Sequence, residues 1–405
     1  MDIIIKYTTA YIRIASCVMA ALVLLACGDG PNATVMCTLA QNSDDSSPGY
    51  LGDMELSYAK QFSVSFYEDD FALISIADGN EYVLVPEGAN DNNLGHDGAV
   101  LIHMPITSTY LAATAAMDLY RELDALSNIT ACSTKAEDYS IPEARELIEN
   151  GKITYVGKYS APDYEKLLEL GADIAIESTM IYHSPKTKEA LEAMDIPVIV
   201  ERSSYEEEPL GRVEWIKLYG LLTGRLQQAD DFFESQVKSV NEMMAQEGQE
   251  DGCGTEDDFL SEANRPKVVF FYVSSNGYVN VRKPKDYVSK MIEMAGGTYA
   301  LESLILEEEN ALSTVNISWE DFYVYAKDAD ILIYNGTIDG GVNTVDELVG
   351  KNEMLGDCRA ISEQQVYCTN SNMFQETSRM GDIIIELGKI IRDEGSDLKY
   401  FYPLI

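Results

Sequence analysis

The stretch PLGRVEWIKLYGLLTGRLQQADDFFESQVKSVNEMM, residues 209–244, decides the fold. Within it Trp215, Leu218, Leu222, Leu226, Ala229, Phe233, Val237, Val240 and Met244 recur at steps of three or four, which gives a helix one continuous apolar face. We read one long helix over 209–246, and about 30 such residues span on the order of 45 Å, more than one small lobe needs. Gly220 and Gly224 weaken it and mark a kink. The reading is a strut between two lobes; an ordinary core helix inside one domain is the alternative.

Both flanks of the strut alternate short β-rich runs with helical patterns, the signature of α/β layers on mainly parallel sheets. In the clearest unit Pro162-Asp163 starts a helix, Gly171 stops it, and Asp173-Ile174-Ala175-Ile176 is a buried strand. A second helix over Lys186–Met194 leads to the strand Ile196–Val200. Beyond the strut an acidic, Gly-rich loop over 247–264 is expected, and then the pattern restarts. There Val268–Val273 and Ile331–Tyr334 read as strands, Pro284–Ala295 as a helix, and Thr377–Asp393 as a final helix. Ala172-Asp173-Ile174 in the first half is echoed by Ala329-Asp330-Ile331 in the second, each between a helix and a strand. The expected organisation is an N-terminal α/β lobe over 53–208, the helix, and a C-terminal α/β lobe over 265–405.

The first residues assign a compartment. Lys6 and Arg13 precede an apolar run from Ile14 to Leu25, too short to span a bilayer and of the length of an export signal. Leu24-Leu25-Ala26-Cys27-Gly28 follows, which looks like a bacterial lipobox, so residues 1–26 read as a lipoprotein signal peptide and Cys27 as the lipidated residue. Residues 27–52, rich in Gly, Asn, Ser and Asp, read as a flexible tether to the membrane. Cys37, Cys132, Cys253, Cys358 and Cys368 remain; Cys358 and Cys368 are nearest in sequence, but spacing does not assign a pairing.

Composition narrows the classes further. A formal net charge of -39 argues against nucleic acid, which needs clustered Lys and Arg. With no GxSxG, no GxGxxG opening a helix and no GxxxxGK[ST], no enzyme is expected. His96, His103 and His183 are too few and too scattered for a free manganese or zinc binder, the less favoured alternative, and no resident metal or cofactor is expected.

Asp163-Tyr164-Glu165-Lys166-Leu167-Leu168 with Ala172-Asp173-Ile174, and Pro209-Leu210-Gly211-Arg212-Val213-Glu214-Trp215-Ile216-Lys217, are the segments that carry a family likeness. Through them the chain resembles the solute-binding proteins of siderophore, haem and cobalamin ABC importers, over roughly Tyr159 to Ile385. The resemblance implies two α/β lobes joined by one helix, with the ligand held in the cleft between them. It also implies a monomer that delivers its cargo to a permease and its ATPase, with one Glu on each lobe docking on permease arginines. On the matching positions these are Glu165 and Glu320, with Asp321 as the neighbour to which the second position shifts if the spacing is kept.

Ligands of open α/β sheets sit beyond the carboxyl ends of strands. The residues expected there are Thr109, Tyr110, Tyr159, Thr179, Met180, Tyr182, Tyr205, Ser275, Tyr278, Arg282, Asn335, Thr337 and Met373. Such Tyr-, Ser- and Asn-rich loops suit a large, partly flat metal-containing complex. Lys158, Arg202 and Arg282 are the few cations nearby, a scarcity that keeps a corrinoid and haem in play; an iron complex, siderophore or haem, is expected slightly ahead of a corrinoid.

Overall fold

The computed structural model describes residues 48–89, 96, 98–250, 265–305, 313–395 and 397–405. The signal peptide, Cys27, Cys37, Cys253 and most of the expected tether therefore lie outside the described residues. The chain divides into two compact units, and the segment Leu56–Phe62 belongs to the second although residues on either side of it belong to the first.

Within the first unit, β1 (Tyr50–Asp53), β2 (Phe62–Tyr67), β3 (Ala72–Ile76), β4 (Glu81–Val85) and β5 (Val100–His103) form one sheet in sequence order. Only the β4 and β5 pair is parallel among the strand pairs described in register. Residues 53–103 were expected to open an α/β lobe. They form this separate sheet instead, because connections as short as Ala77–Asn80, with a tight turn at Asp78-Gly79, leave no room for crossover helices. Phe71, Leu73, Val83 and Val85 pack into a core cluster on it. Residues 50–52, expected in the tether, belong to β1.

The first lobe of the second unit runs β6 (Thr109–Leu111), α1 (Ala116–Glu122), β7 (Ile129–Cys132), α2 (Pro142–Glu149), β8 (Thr154–Tyr155), a small hairpin of β9 (Gly157–Lys158) and β10 (Ala161–Pro162), α3 (Tyr164–Glu169), β11 (Ile174–Ser178), α4 (Pro185–Glu192) and β12 (Val198–Glu201). Its sheet has the order β12-β11-β6-β7-β8 and is parallel throughout.

The expected single helix over 209–246 is three helices: α5 (Pro209–Glu214), α6 (Ile216–Leu222) and α7 (Leu226–Glu250). Gly224 adopts a φ of +70, which ends α6, and α7 turns back to pack along it. Gly220 permits that close approach, since a Cβ there would stand 2.6 Å from Ala229 Cβ. The apolar stripe is buried as read at Trp215, Leu218, Leu222, Ala229, Phe233 and Val240, while Met243 replaces Met244 on the inner face. Residues 247–250, expected to open the acidic loop, complete α7, and 251–264 lie outside the described residues.

The second lobe comprises β13 (Lys267–Val273), β14 (Val279–Arg282), α8 (Tyr287–Met294), β15 (Thr298–Tyr299), β16 (Thr314–Ile317), α9 (Trp319–Ala326), β17 (Ile331–Tyr334), α10 (Val345–Val349), α11 (Arg359–Ser362), β18 (Val366–Thr369), α12 (Met380–Ile391) and β19 (Phe401–Pro403). Its sheet is parallel through β15, β13, β17 and β18 and antiparallel at β14, β16 and β19. Cys132, Cys358 and Cys368 are buried free thiols, so Cys358 and Cys368 are not bridged.

The Ala-Asp-Ile echo has a structural cause. Asp173 accepts the N–H groups of Thr107 at 2.7 Å and Ser108 at 2.8 Å, and thereby caps the amino end of β6, with which β11 pairs in parallel. Asp330 accepts the N–H of Lys267 at 2.7 Å at the amino end of β13, which pairs with β17, and is ion-paired with Arg359. In both lobes one carboxylate registers a parallel strand on its central neighbour.

The two lobes meet through helices. Buried Asp118 on α1 accepts the N–H of Ser378 at 2.9 Å and its hydroxyl at 2.5 Å, and Glu122 pairs with Arg379 at 2.9 Å. Helix α7 packs on α12 and α5 on α8. Across this junction lies the strap Leu56–Phe62: Glu214 accepts the N–H groups of Ser57, Tyr58 and Ala59 at 2.7 to 2.8 Å, and Glu206 those of Lys60 and Gln61 at 2.8 and 2.9 Å. Removing the Glu214 carboxylate strips three adjacent amides of their acceptor at about 1–3 kcal/mol for each buried one. We therefore expect Glu214→Ala to lower stability in urea by about 3 kcal/mol or more, whereas Glu68→Ala, which loses one exposed bond to Gly49, costs under about 1 kcal/mol.

Candidate functional site

The carboxyl-terminal edges of the two central sheets face a common groove of about 690 Å³. The first lobe contributes Glu137–Ser140 and Arg145, which follow β7; the second contributes Thr337 after β17, Asn370–Asn372 and Gln375 after β18, and Lys399. At one side the lobes touch. Gln375 accepts the N–H of Ser140 at 2.7 Å and donates to the carbonyl of Asp138 at 2.8 Å, and the hydroxyls of Ser140 and Ser371 are 3.2 Å apart.

On the same edge of the first sheet, after β11 and β12, lies an aromatic and cationic patch. Met180 and Tyr182 are exposed, and Arg202 donates from Nη1 to the Tyr182 hydroxyl at 3.1 Å. Its guanidinium lies 4.7 Å over the Tyr205 ring. Strands β12 and β7, which lead into the patch and the groove, are three inter-strand steps of about 4.8 Å apart in the sheet.

Several expected ligand residues are elsewhere. Thr109 and Tyr110 are fully buried, because the loop 107–110 enters β6 and so lies at the opposite end of the strand from the groove; the residues that leave β6 are Ala112–Thr114. Arg282 is 8% exposed and surrounded by the rings of Phe270, Tyr287 and Phe374, with Asp286 at 3.7 Å, so it is spent within the second lobe. Met373 is buried in the core. Asn335 is buried too, and its Oδ1 accepts the Thr337 hydroxyl at 2.7 Å, which shapes the turn that presents Thr337. Tyr159 is half-buried against the first-lobe core. Thr179 opens the turn that carries Met180 and Tyr182, and Ser275 and Tyr278 are exposed on the turn after β13. Sequence reading missed Ser140, Arg145, Asn370, Gln375 and Lys399; Asn370, directly after the strand Val366–Thr369, carried the one positional signal that was available.

Glu165 and Glu320 are both exposed, and each is the second residue of its helix after a side-chain cap. Asp163 accepts from Lys166 N at 3.0 Å and Ser318 from Asp321 N at 3.1 Å, so Glu320 rather than Asp321 occupies the position equivalent to Glu165. Both helices start at the strand-end edge on which the groove opens, and both precede the strand that an Asp registers.

Two parallel-centred lobes, helically joined and facing each other across a groove at their strand ends, define the two-lobed solute-binding fold. In the comparisons, a possible iron-binding periplasmic solute-binding protein of Staphylococcus epidermidis superposes with a TM-score of 0.53 at 15% identity, over 71% of this chain and 99% of that one. The periplasmic haem-binding protein of Vibrio cholerae gives a TM-score of 0.52 at 17% identity, over 69% and 99%. In sequence, an uncharacterised lipoprotein of Methanocaldococcus jannaschii is 21% identical over 369 residues, 84% of this chain and 82% of that relative. No family model matches the chain. The expected likeness to solute-binding proteins is met in the fold.

Near the patch, Glu177 on β11 is fully buried and neither carboxylate oxygen has a hydrogen-bond partner among the described residues. Burial pushes it from its ordinary value near 4.5 up to about 8. A raised acid retains its full stability only below the unfolded value, and the folded state loses about 1.4 kcal/mol for each pH unit between that value and its own. Glu177→Gln, which stays neutral, is expected to match the parent near pH 4.5 and to exceed it by a few kcal/mol at pH 8, as read from urea midpoints at the two pH values.

Proposed function

We propose that the chain is a lipid-anchored substrate-binding protein of an ABC importer that captures an iron complex, siderophore or haem, and hands it to the permease. The observation that carries this reading is the groove of about 690 Å³ between the strand ends of two lobes, with the patch of Met180, Tyr182 and Tyr205 on the same edge of the first sheet. A site of this kind binds without chemistry: aromatic faces supply area, and Thr337, Asn370 and Ser371 supply orienting hydrogen bonds. The names of the Staphylococcus and Vibrio proteins, iron- and haem-binding, agree with the ligand class, and that of the Methanocaldococcus relative agrees with lipidation at Cys27. In this reading the chain acts as a monomer outside the cytoplasmic membrane, held there by lipid on Cys27.

The test is direct. Purified protein incubated with a ferric siderophore, haem and cobalamin should coelute with visible absorbance from one of the first two; cobalamin alone would reassign the ligand to a corrinoid, and failure of all three would end the ligand class. For docking, Glu165 and Glu320 extend exposed carboxylates from equivalent helix positions, suited to paired guanidinium groups. Glu165→Ala and Glu320→Ala should each leave ligand affinity unchanged and lower uptake in cells, with the double variant lowest. Reduced affinity in either would instead place that residue in the cleft.

A further inference from the structure

We propose that Leu168 and Val324 are apolar docking anchors, one on each lobe, that seat in two like hollows of the permease beside the arginines that receive Glu165 and Glu320. The proposal rests on the functional reading above and adds to it the chemistry of the partner surface: two like sites, each with a guanidinium next to an apolar hollow.

The way α3 and α9 are buried places these side chains. In each helix the fourth residue, Leu167 or Phe322, is buried in its lobe, while the second, Glu165 or Glu320, is exposed. Leu168 stands three positions after Glu165 and Val324 four after Glu320, and both spacings make close neighbours on a helix surface. The two side chains are 55% and 65% exposed. A single exposed apolar residue is ordinary, so location decides the matter. Among the described residues three large apolar side chains stand exposed on α-helices, Leu168, Met244 and Val324, and two of the three flank the carboxylates that occupy equivalent positions in the two lobes. Both helix starts are held in place. The Asp163 N–H donates to the Val156 carbonyl at 2.7 Å ahead of α3, and the Trp319 indole N–H donates to the Gly277 carbonyl at 2.9 Å at the start of α9.

A carboxylate and a guanidinium that meet in open water hold two proteins together only weakly. An apolar side chain beside the pair changes that, because its own burial contributes and because it keeps water away from the charges. Among the described residues neither Glu165 nor Glu320 has an ion pair, whereas Glu169 on α3 is already paired with Lys166 at 2.9 Å. Charge selects the occupant. Faces that carry Glu165 and Glu169, or Glu320 and Asp321, on a chain of net charge -39 repel both a second copy and an anionic bilayer, and favour a basic protein surface. Two like patches, one on each lobe, fit a partner that presents the same site twice, as two subunits related by a two-fold axis do.

The full chain would be expressed in its own cells with Leu168 or Val324 replaced by photoreactive p-benzoylphenylalanine, and the cross-linked sites mapped by mass spectrometry. Both positions are expected to attach to the membrane-spanning subunit of an ABC importer close to an arginine, and Glu165→Ala or Glu320→Ala in the same chain should lower the yield from its own lobe several-fold. In a second measurement, uptake of a radiolabelled ferric siderophore and of haem is followed at limiting supply. Leu168→Ala and Val324→Ala should each slow uptake by about tenfold, with melting temperature and ligand affinity unchanged, while Leu168→Met and the control Met244→Ala keep the parent rate. Cross-links that reach only a second copy of this chain, only lipid or nothing at all overturn the proposal. So does a loss of ligand affinity in Leu168→Ala, which would place that residue in the cleft. If Glu165→Ala and Glu320→Ala slow uptake and the two apolar variants do not, the proposal fails and the functional reading stands. If loss of the whole chain leaves uptake of both complexes unchanged, the iron-complex reading fails, and the cross-links alone then decide whether the anchors seat on a permease.

Discussion

The second unit is organised around two carboxylates that are taken out of water at the lobe junction. Glu214 is fully buried and Glu206 nearly so, and each is surrounded by donors: five consecutive strap amides, the Trp215 indole and, for Glu214, the Lys217 ammonium at 3.3 Å. Burial pushes Glu206 upward against the pull of these donors, so the site is formed at a desolvation cost that only the complete set of hydrogen bonds offsets. The constraint runs both ways. Five neighbouring amides in a strap outside helix and sheet have these carboxylates as acceptors, and two buried carboxylates cannot stand without them. Helix α5, the strap and the start of α6 are therefore one cooperative element, and the residues that this element positions include Gln61 and, through it, Arg202.

What was legible in the sequence was local chemistry with a short reach. Asp163 as a cap, Gly171 as a stop and the strand after it follow from a dozen residues of sequence, and the structure has them with Asp163 bonded to Lys166 N and Gly171 at a φ of +62. The Ala-Asp-Ile echo was visible for the same reason, since one carboxylate performs one task in each lobe. Periodicity alone did not settle the strut. A stripe at steps of three and four is common to a straight helix and to a hairpin whose two arms bury the same face, and only the contact between Gly220 and Ala229, non-local in effect, selects the hairpin. The sheet over 50–103 was lost for a related reason: its short strands read as βα units until the lengths of the connections are weighed.

The site was legible by strand and not by side chain. Reading loops at strand ends picked out Met180, Tyr182 and Tyr278, which are exposed, Tyr205, which lies under Arg202, and Thr337, which lines the groove. It failed where direction along a strand or depth in a loop decides the outcome. Tyr110 lies within its strand and points into the core, Met373 turns inward one residue from groove-lining Asn372, and Arg282 is consumed by three rings and Asp286. Gln375 and Ser140 carry no signal at all, because their significance comes from meeting each other across lobes more than 200 positions apart in sequence.

The distribution of these inter-lobe contacts also determines how the groove can open. On the groove side, Gln375 and Ser371 reach the first lobe through a few polar bonds that water can replace, worth about 1 kcal/mol each. At the junction, Asp118 is fully buried on Ser378, and helices α5 and α7 pack on α8 and α12, so separation there would leave a desolvated carboxylate and apolar helix faces without partners. The cheap contacts border the groove and the expensive ones lie behind it. Separating the lobes would therefore break the contacts of Gln375 and Ser140 at the groove edge first and those at the helical junction last.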